Sequence, residues 1–542
     1  MKLSLFSFVA MVTGQINPLF AQDAVSSFAL GTQTHFEQGW SIDLLDAAQV
    51  LGAVALRDEI GWDQVETEMG VYDFTIADQY MLPLINRGFK PLIVINEVNQ
   101  LYDDGKTPHS PDGRAAFAAY VSAILSHYGA DAVRIEIGNE VNTTDFVSGP
   151  ALNDPARSFA ALTRAVDARL QVDHPDAQFS CGGLNTIGIG FLQAFFRRGG
   201  LLACDAISVH PYRDHPETLP SELTRLKALM REFGGQKPIH VTEFGNWFDD
   251  PQDAPAYMIK MVAILSAADV RFAYWYALTD EKWWPNMGLL NEAGVEQKPA
   301  AAAFSFLQTR LLPLGRARRQ GDDTAAYIYT FGPQGRGAVF WGSGGDITVT
   351  DASAFYNVEG VEIPPVTTLS DSPVIVLGDS ISIIQSAPNR IADSQSQYGQ
   401  SPWNYFARRP DIGLVPLGII DSNWTSTRGA PDLSPLQIGD SWITTARFND
   451  APYSVVERFT AQRAGSYVID GWWQASAKTD APHLTILHNG RQVVEANITA
   501  DRFKVSGMSI PLEIGDTLDF EVAPQEPSGT GALQRRIRIT GP

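Results

Sequence analysis

Two glutamates stand where apolar, strand-like runs open into loops. Arg134-Ile-Glu-Ile-Gly-Asn-Glu-Val-Asn142 alternates like a strand and then presents Glu140 in a Gly-Asn-Glu triplet. Pro238-Ile-His-Val-Thr-Glu-Phe-Gly245 presents Glu243 just before a glycine. Carboxylates held at the same ends of two parallel strands are equipped for acid/base and nucleophilic work on a glycosidic bond. Either glutamate alone reads equally well as an ordinary strand-end carboxylate. Inside a repeating strand–helix pattern the pair is a strong indication.

Other polar residues gather at equivalent positions: His35, Arg57, Asn96, Asn139, Asn185, His210, Tyr212 and Trp275. Asp58, Glu59, Glu97 and Asp280 also lie near strand ends and are expected to be bystanders. Arg134 and Glu136 sit within a strand, and the plain expectation is an internal ion pair below the site. Arg213 and Lys282 fall on loops past the sixth and eighth strands. The plain reading pairs them with Asp214 and Glu281; the sharper one makes them receptors for an acidic substituent on a sugar.

The elements that must position these residues repeat along the chain. Eight near-continuous apolar runs are expected as strands at 28–34, 53–57, 91–96, 133–138, 178–182, 206–210, 239–243 and 271–276. Such runs suit strands covered on both faces. Helical periodicity fills the intervals, for example at 158–172, 219–233 and 254–267. The pattern predicts an α/β fold, a (β/α)8 TIM barrel over 22–312, with its chemistry at the C-terminal ends of the strands. No Gly-rich phosphate loop follows the first strand, which argues against a doubly wound nucleotide-binding sheet.

After residue 312 short β patterns alternate with Gly, Pro and Asp turns. They predict a small β-sandwich over 313–380, a polar linker over 385–400 and a second all-β domain over 401–542. In that last domain Asn489-Gly490 marks a two-residue hairpin. It also carries Trp403, Trp424, Trp472 and Trp473. Indole faces stack on sugars, so a carbohydrate-binding module is one reading, and core packing is the default.

A chain of 542 residues exceeds one core. Its 40 Lys+Arg against 61 Asp+Glu give a formal charge of -21, which disfavours nucleic acid and anionic membrane surfaces. The first residues, one lysine followed by a short apolar run, predict a signal peptide over 1–21 and a secreted or periplasmic product. No later run is long enough to insert in a membrane. Cys181 and Cys204 fit no metal spacing. They are expected as two buried thiols at different depths on neighbouring strands, with a disulfide, which export would permit, as the alternative. No metal or cofactor is expected.

Taken in order, these motifs resemble a clan A retaining glycoside hydrolase, most similar to family 39 and related bacterial exopolysaccharide hydrolases. The pieces that carry the resemblance span the whole barrel. They include Gly31-Thr-Gln-Thr-His-Phe36, Leu56-Arg-Asp-Glu-Ile-Gly-Trp62, Gly138-Asn-Glu140, Ser208-Val-His-Pro-Tyr212, Thr242-Glu-Phe-Gly245, Tyr274-Trp-Tyr276 and Gly288-Leu-Leu290. The resemblance implies Glu140 as general acid/base and Glu243 as nucleophile. It implies Asn139 on the sugar 2-hydroxyl, and Arg57, His210 and Tyr212 around the nucleophile. Trp275 would be the platform beneath the sugar and His35 a contact from the first strand. Pro285-Asn286-Met287 replaces the acidic and aromatic residues usual before Gly-Leu-Leu. The carboxyl groups are then expected roughly 5 Å apart, too close for an intervening water. Arg57 should keep Glu243 ionised, and a less polar setting should keep Glu140 protonated. The implied activity is hydrolysis of a polysaccharide or its oligosaccharides. An exo-acting β-xylosidase-like enzyme is the alternative of the same chemistry. A non-catalytic polysaccharide-binding envelope protein is the alternative of another class, against which the presence of both glutamates counts. Oligomeric state is left open.

Overall fold

The computed structural model describes residues 28–95, 98–321, 326–342, 345–385, 390–448, 451–476, 482–524 and 531–542. The expected signal segment, Asn96 and Glu97 lie outside these.

Eight parallel strands close into a barrel in chain order. They are β1 (Ala29–Gln33), β2 (Leu56–Ile60), β3 (Leu92–Ile95), β4 (Arg134–Ile137), β5 (Phe179–Asn185), β6 (Ala206–His210), β7 (Ile239–Phe244) and β8 (Val270–Trp275). β8 returns to pair with β1 through Tyr274 and Gly31. Every residue of β3 and of β6 is buried, as expected for strands between an inner core and an outer helix ring. The helices begin where local chemistry favours it. Ser110 accepts the Gly113 N–H at 2.9 Å ahead of Pro111–Tyr128. Asp154 accepts the Arg157 N–H at 3.1 Å ahead of Pro155–Asp173. In both, proline takes the first turn, where its missing N–H costs nothing. Helix Leu219–Glu232 buries Leu219, Leu223, Leu226, Leu229 and Met230, one face at helical spacing.

Past the barrel, six strands form one antiparallel sheet. One side, with Tyr327, Tyr329 and Trp341, joins the barrel's own core. The other, with Ile328, Phe340 and Val376, packs within the small domain. The Trp341 indole donates to Glu217 at 2.9 Å, and Lys260 reaches the same carboxylate at 2.8 Å. The sheet therefore braces the barrel. The final domain is two facing antiparallel sheets around a separate core that includes Trp403, Phe459, Tyr467 and Trp473. The Asn489-Gly490 turn joins His483–His488 to Arg491–Asn497, both turn residues having positive φ.

Three expectations are corrected. The second strand starts three residues later than 53–57. Asp58 and Glu59 look like a polar exit from a strand, yet Asp58 is fully buried and satisfied: it accepts from the Thr34 hydroxyl at 2.6 Å and the Phe36 N–H at 2.9 Å. The expected linker is largely structural. A first strand runs to Gln385, Arg390–Asp393 pairs with the last strand, and Asp393, Ser394, Gln395 and Gln397 are buried. Their polarity serves internal hydrogen bonds, such as Gln395 to the Arg535 carbonyl at 2.9 Å. Finally, Cys181 and Cys204 form a disulfide, with Cα atoms 5.9 Å apart. Cys204 lies before β6, in the turn after helix Gly200–Ala203, and that turn brings it to Cys181 on β5.

Candidate active site

The site is built on a buried cation. Arg57, 1 % exposed, points into the barrel mouth from β2 and makes four side-chain hydrogen bonds. Nε donates to Glu136 at 2.8 Å, one terminal nitrogen to Gln33 and Glu243 at 2.6 Å each, and the other to Asn139 at 2.9 Å. Burial opposes its charge, but the Glu136 and Glu243 carboxylates outweigh burial and the pKa is raised. The expected Arg134–Glu136 pair is not formed. Glu136 faces inward to Arg57, whereas Arg134 stacks on Phe272 at 4.4 Å and donates to the Lys90 carbonyl at 2.6 Å. Strand alternation would put both residues on one face, but Glu136 is taken by Arg57 from across the barrel while Arg134, at the start of β4, finds Phe272 and the Lys90 carbonyl.

Glu243, at the end of β7, accepts from Arg57 on one oxygen and from the Tyr212 hydroxyl on the other at 2.7 Å. The His210 ring stands 3.5 Å away. Burial alone would raise its pKa; His210, Arg57 and Tyr212 together overturn that and hold it below the ordinary carboxylate range. Burial, followed by the Glu243 charge, pushes the Tyr212 phenol far up, so it remains a donor. His210 is fixed from behind: its Nε2 meets the Thr242 hydroxyl at 3.1 Å, and that hydroxyl donates to Glu136 at 2.6 Å. Glu136 thus anchors both groups that flank the nucleophile position.

Glu140 follows β4 with φ 44°, in the left-handed region that non-glycine residues rarely adopt. A bulge in β5 holds it there. Gly183 (φ +47°) swings its carbonyl out to accept the Glu140 N–H at 2.7 Å. A Cβ on Gly183 would meet Glu136, Gly138 and His210 at 3.2 Å each, so a side chain there would be both crowded and strained. The Glu140 carboxylate accepts from Asn185 at 3.0 Å and lies 3.4 Å from His210 Nδ1. The less polar setting expected for it is therefore not found. Single oxygens of Glu140 and Glu243 and a nitrogen of His210 all fall within 4.8 Å of one another. That spacing alone would suit a cation. Glu243, however, already receives a guanidinium and a phenol, and Arg57 puts positive charge beside it. A hydrogen-bonded carboxylate pair fits these partners better than a metal site.

The structure brings Arg57, Asn139, Glu140, His210, Tyr212 and Glu243 together. Asn139 accepts from Arg57 through its oxygen, which leaves its amide N–H groups for a ligand. His35 lies at the β1 side of the mouth, with Nε2 3.2 Å from the Tyr276 hydroxyl and 3.1 Å from Glu281. Burial lowers its pKa to about 4, so at neutral pH the Glu281 contact is a hydrogen bond and not an ion pair. Trp275 is placed differently from expectation. It is fully buried, donates to the Met287 carbonyl at 2.8 Å and stacks on Phe248. It supports the floor and offers no open face to a sugar. Exposed indoles come instead from loops: Trp247 (54 %) stacks on Tyr212, and Trp284 (43 %) packs against Trp247. Trp247 lies four residues past Glu243, a position that could have marked it in the sequence.

Arg213, Lys282 and Asp280 each have a partner among the described residues. Arg213 pairs with Glu222 at 3.0 Å, not with Asp214, and is 6 % exposed at its side chain. Lys282 sits over Trp283 at 5.1 Å. Asp280 accepts the Gly288 N–H and pairs with Lys298, which fixes the loop after β8. These pairings remove the case for Arg213 as a receptor for an acidic sugar.

Comparison with known proteins agrees with this geometry. Residues 152–304 match the family described as "Glycosyl hydrolase catalytic core". No curated protein sequence is similar enough to count as a match. Among solved structures, a family 39 glycoside hydrolase from the gut symbiont Bacteroides cellulosilyticus WH2 is similar with a TM-score of 0.57 and 19 % identity, covering 66 % of this chain and 82 % of that one. A family 39 β-xylosidase from Caulobacter crescentus has a TM-score of 0.46 and 16 % identity, over 65 % of this chain and 96 % of that one. The catalytic-core match over residues 152–304 and the closed eight-stranded barrel make this chain similar to glycoside hydrolases, and its fold similar to that of a family 39 member.

Proposed function

We propose that the protein is an exported retaining β-glycosidase that cleaves a polysaccharide, or oligosaccharides from one, by double displacement. The observation that carries this is the Glu140–Glu243 approach, with carboxylate oxygens within 4.8 Å. Retaining pairs lie about 5–5.5 Å apart, whereas inverting pairs are held farther apart to admit a water.

In this reading Glu243, kept ionised by its buried partners, attacks the anomeric carbon while Glu140 protonates the departing oxygen. Glu140, now a carboxylate, then deprotonates the water that breaks the glycosyl–Glu243 ester. Asn139, its oxygen held by Arg57, donates to the sugar 2-hydroxyl, a bond that tightens as positive charge develops on the ring. The intact network around both glutamates speaks against a purely binding role. Export rests on the N-terminal apolar run, and intact mass of the secreted protein should show a start near Gln22.

The chemistry is tested by azide rescue. Glu243→Ala and Glu140→Ala should each lose most hydrolysis of p-nitrophenyl β-glycosides without unfolding. Azide should give the α-glycosyl azide with Glu243→Ala and the β-glycosyl azide with Glu140→Ala. Ordinary activity in either variant, or the same anomer from both, would refute the assignment.

A further inference from the structure

The last β-domain reaches over the barrel mouth on the side of Glu140. A hairpin of Gly418–Asp421 and Ser426–Gly429 carries Asn423 and Trp424 at its tip. The Trp424 indole donates to the Asn142 carbonyl at 2.6 Å, and Asn142 donates to the Asn423 carbonyl at 2.8 Å. Asn142 also holds the backbone of Asn185, the residue that donates to Glu140. The Thr186 hydroxyl contacts the Trp424 carbonyl, and Arg225 pairs with Asp421 at 2.7 Å. The barrel is shaped for this approach: a Cβ on Gly188 would lie 2.0 Å from the Asn423 carbonyl oxygen.

Between hairpin and barrel lies a cleft of about 290 Å³. Trp247 and Tyr212 border it from the barrel, Trp424 and Trp442 from the β-domain. Tyr212, which lines the cleft, donates to Glu243, and Thr186, which also lines it, follows the Asn185 that donates to Glu140, so the cleft adjoins the residues that hold the reacting pair. Trp247 and Trp424 are more than half exposed. Three carboxylates, Asp214, Glu222 and Asp440, line the cleft, and its Arg213 is engaged by Glu222.

We infer that this cleft is a leaving-group subsite completed by the C-terminal β-domain, and that it takes neutral sugar units beyond the scissile bond. The inference rests on the assignment of Glu140 as proton donor. The departing oxygen must lie beside Glu140, and the chain it belongs to continues away from His35 and Asn139, toward Thr186 and Trp424. Indoles present apolar faces to the C–H faces of sugar rings, and carboxylates accept from hydroxyls. A lining with Asp214, Glu222 and Asp440 against a single arginine, itself paired with Glu222, repels a uronic acid. The domain is thus part of the active site, not a detached binding module.

The test compares the wild type with Trp442→Ala and Trp424→Ala. p-Nitrophenyl β-xyloside, β-glucoside and β-mannoside, whose leaving groups are small, are set against xylotetraose, cellotetraose and mannotetraose. For the sugar that is cleaved, the ratio of kcat/KM on tetrasaccharide to that on aryl glycoside should fall roughly ten- to a hundredfold in each variant, chiefly through KM. An unchanged ratio overturns the inference, as does wild-type enzyme that cleaves the aryl glycoside but none of the tetrasaccharides. Gly188→Val, which displaces the hairpin tip without touching an indole, should lower the same ratio. Fluorescence titration with the tetrasaccharides separates the two levels of the argument. Binding that depends on Trp442 in a protein that hydrolyses nothing would refute the catalytic reading and keep the subsite. Hydrolysis with binding indifferent to both indoles would do the reverse.

Discussion

Arg57→Met removes the one cation that Glu136 and Glu243 share. Both carboxylates are nearly inaccessible to water, at 0 % and 8 % exposure, so solvent cannot replace the lost partner. Breaking a buried pair by removing one member costs about 3–5 kcal/mol. Methionine keeps much of the volume, so little cavity cost adds to this. The electrostatic consequence has a definite sign. Glu243 is held below its ordinary pKa in part by Arg57. Stability from that depression is present above the unfolded-state pKa and is lost as pH falls through the folded one. Without Arg57 the Glu243 pKa rises, so the acid limb of kcat/KM should move to higher pH. Arg57→Lys separates charge from geometry. Lysine keeps a positive charge but cannot reproduce a fork that contacts Gln33, Glu136, Asn139 and Glu243 at once. Its acid limb should stay nearer the wild type while kcat falls because Asn139 and Glu243 are no longer held. Urea unfolding and pH–rate profiles on the best aryl glycoside measure both quantities. An acid limb that does not move in Arg57→Met, or moves equally in Arg57→Lys, would refute the electrostatic role.

Further outcomes follow from other parts of the molecule. The Cys181–Cys204 bridge closes a separation of 23 residues, for which loop entropy gives a stabilisation of about 3 kcal/mol; unfolding of oxidised and Cys204→Ser protein should differ by that order, and equal stability would contradict it. His240 in β7 is half-buried, its Nε2 is inaccessible and has no hydrogen-bond partner among the described residues, and desolvation lowers its pKa to about 3. The unfolded chain binds that proton near pH 6.5, so stability falls as pH drops from there toward the folded value, by ~2 kcal/mol at pH 5. His240→Leu should remove that part of the acid sensitivity, as read by melts at pH 8 and pH 5. In the β-domain Arg535 and Glu457 pair twice, at 2.8 and 2.6 Å, with both side chains at 0 % exposure. Glu457→Gln should cost about 3–5 kcal/mol in denaturant unfolding, and a neutral result would show that the pair is not essential.

The sequence by itself determined the barrel, its two glutamates and the β character of everything after it. Those features are local: apolar runs such as Leu92–Ile95, helix starts such as Ser110-Pro111, and glycines beside Glu140 and Glu243 are legible over a few residues. Features set by partners distant in the chain were not. Glu136 looked like a mate for Arg134, two residues away, but its partner Arg57 comes from another strand 79 residues earlier. Arg213 passed over its neighbour Asp214 for Glu222, one helical approach further on. Trp275 carried an aromatic that suited a platform, yet only the tertiary packing, with Phe248 stacked on the ring and the Met287 carbonyl taking its N–H, decided that it would be fully buried. The disulfide depended on a turn that displaces Cys204 from its strand. The place of the last domain was the least legible of all. Asn423 and Trp424 sit on a hairpin some 280 residues from Asn142, and nothing local to either segment encodes their meeting. Periodicity reports which face of an element is buried, because that is a property of neighbouring residues. Which group a buried charge or an exposed indole will meet depends on chain closure over hundreds of residues, and only the tertiary structure decided it.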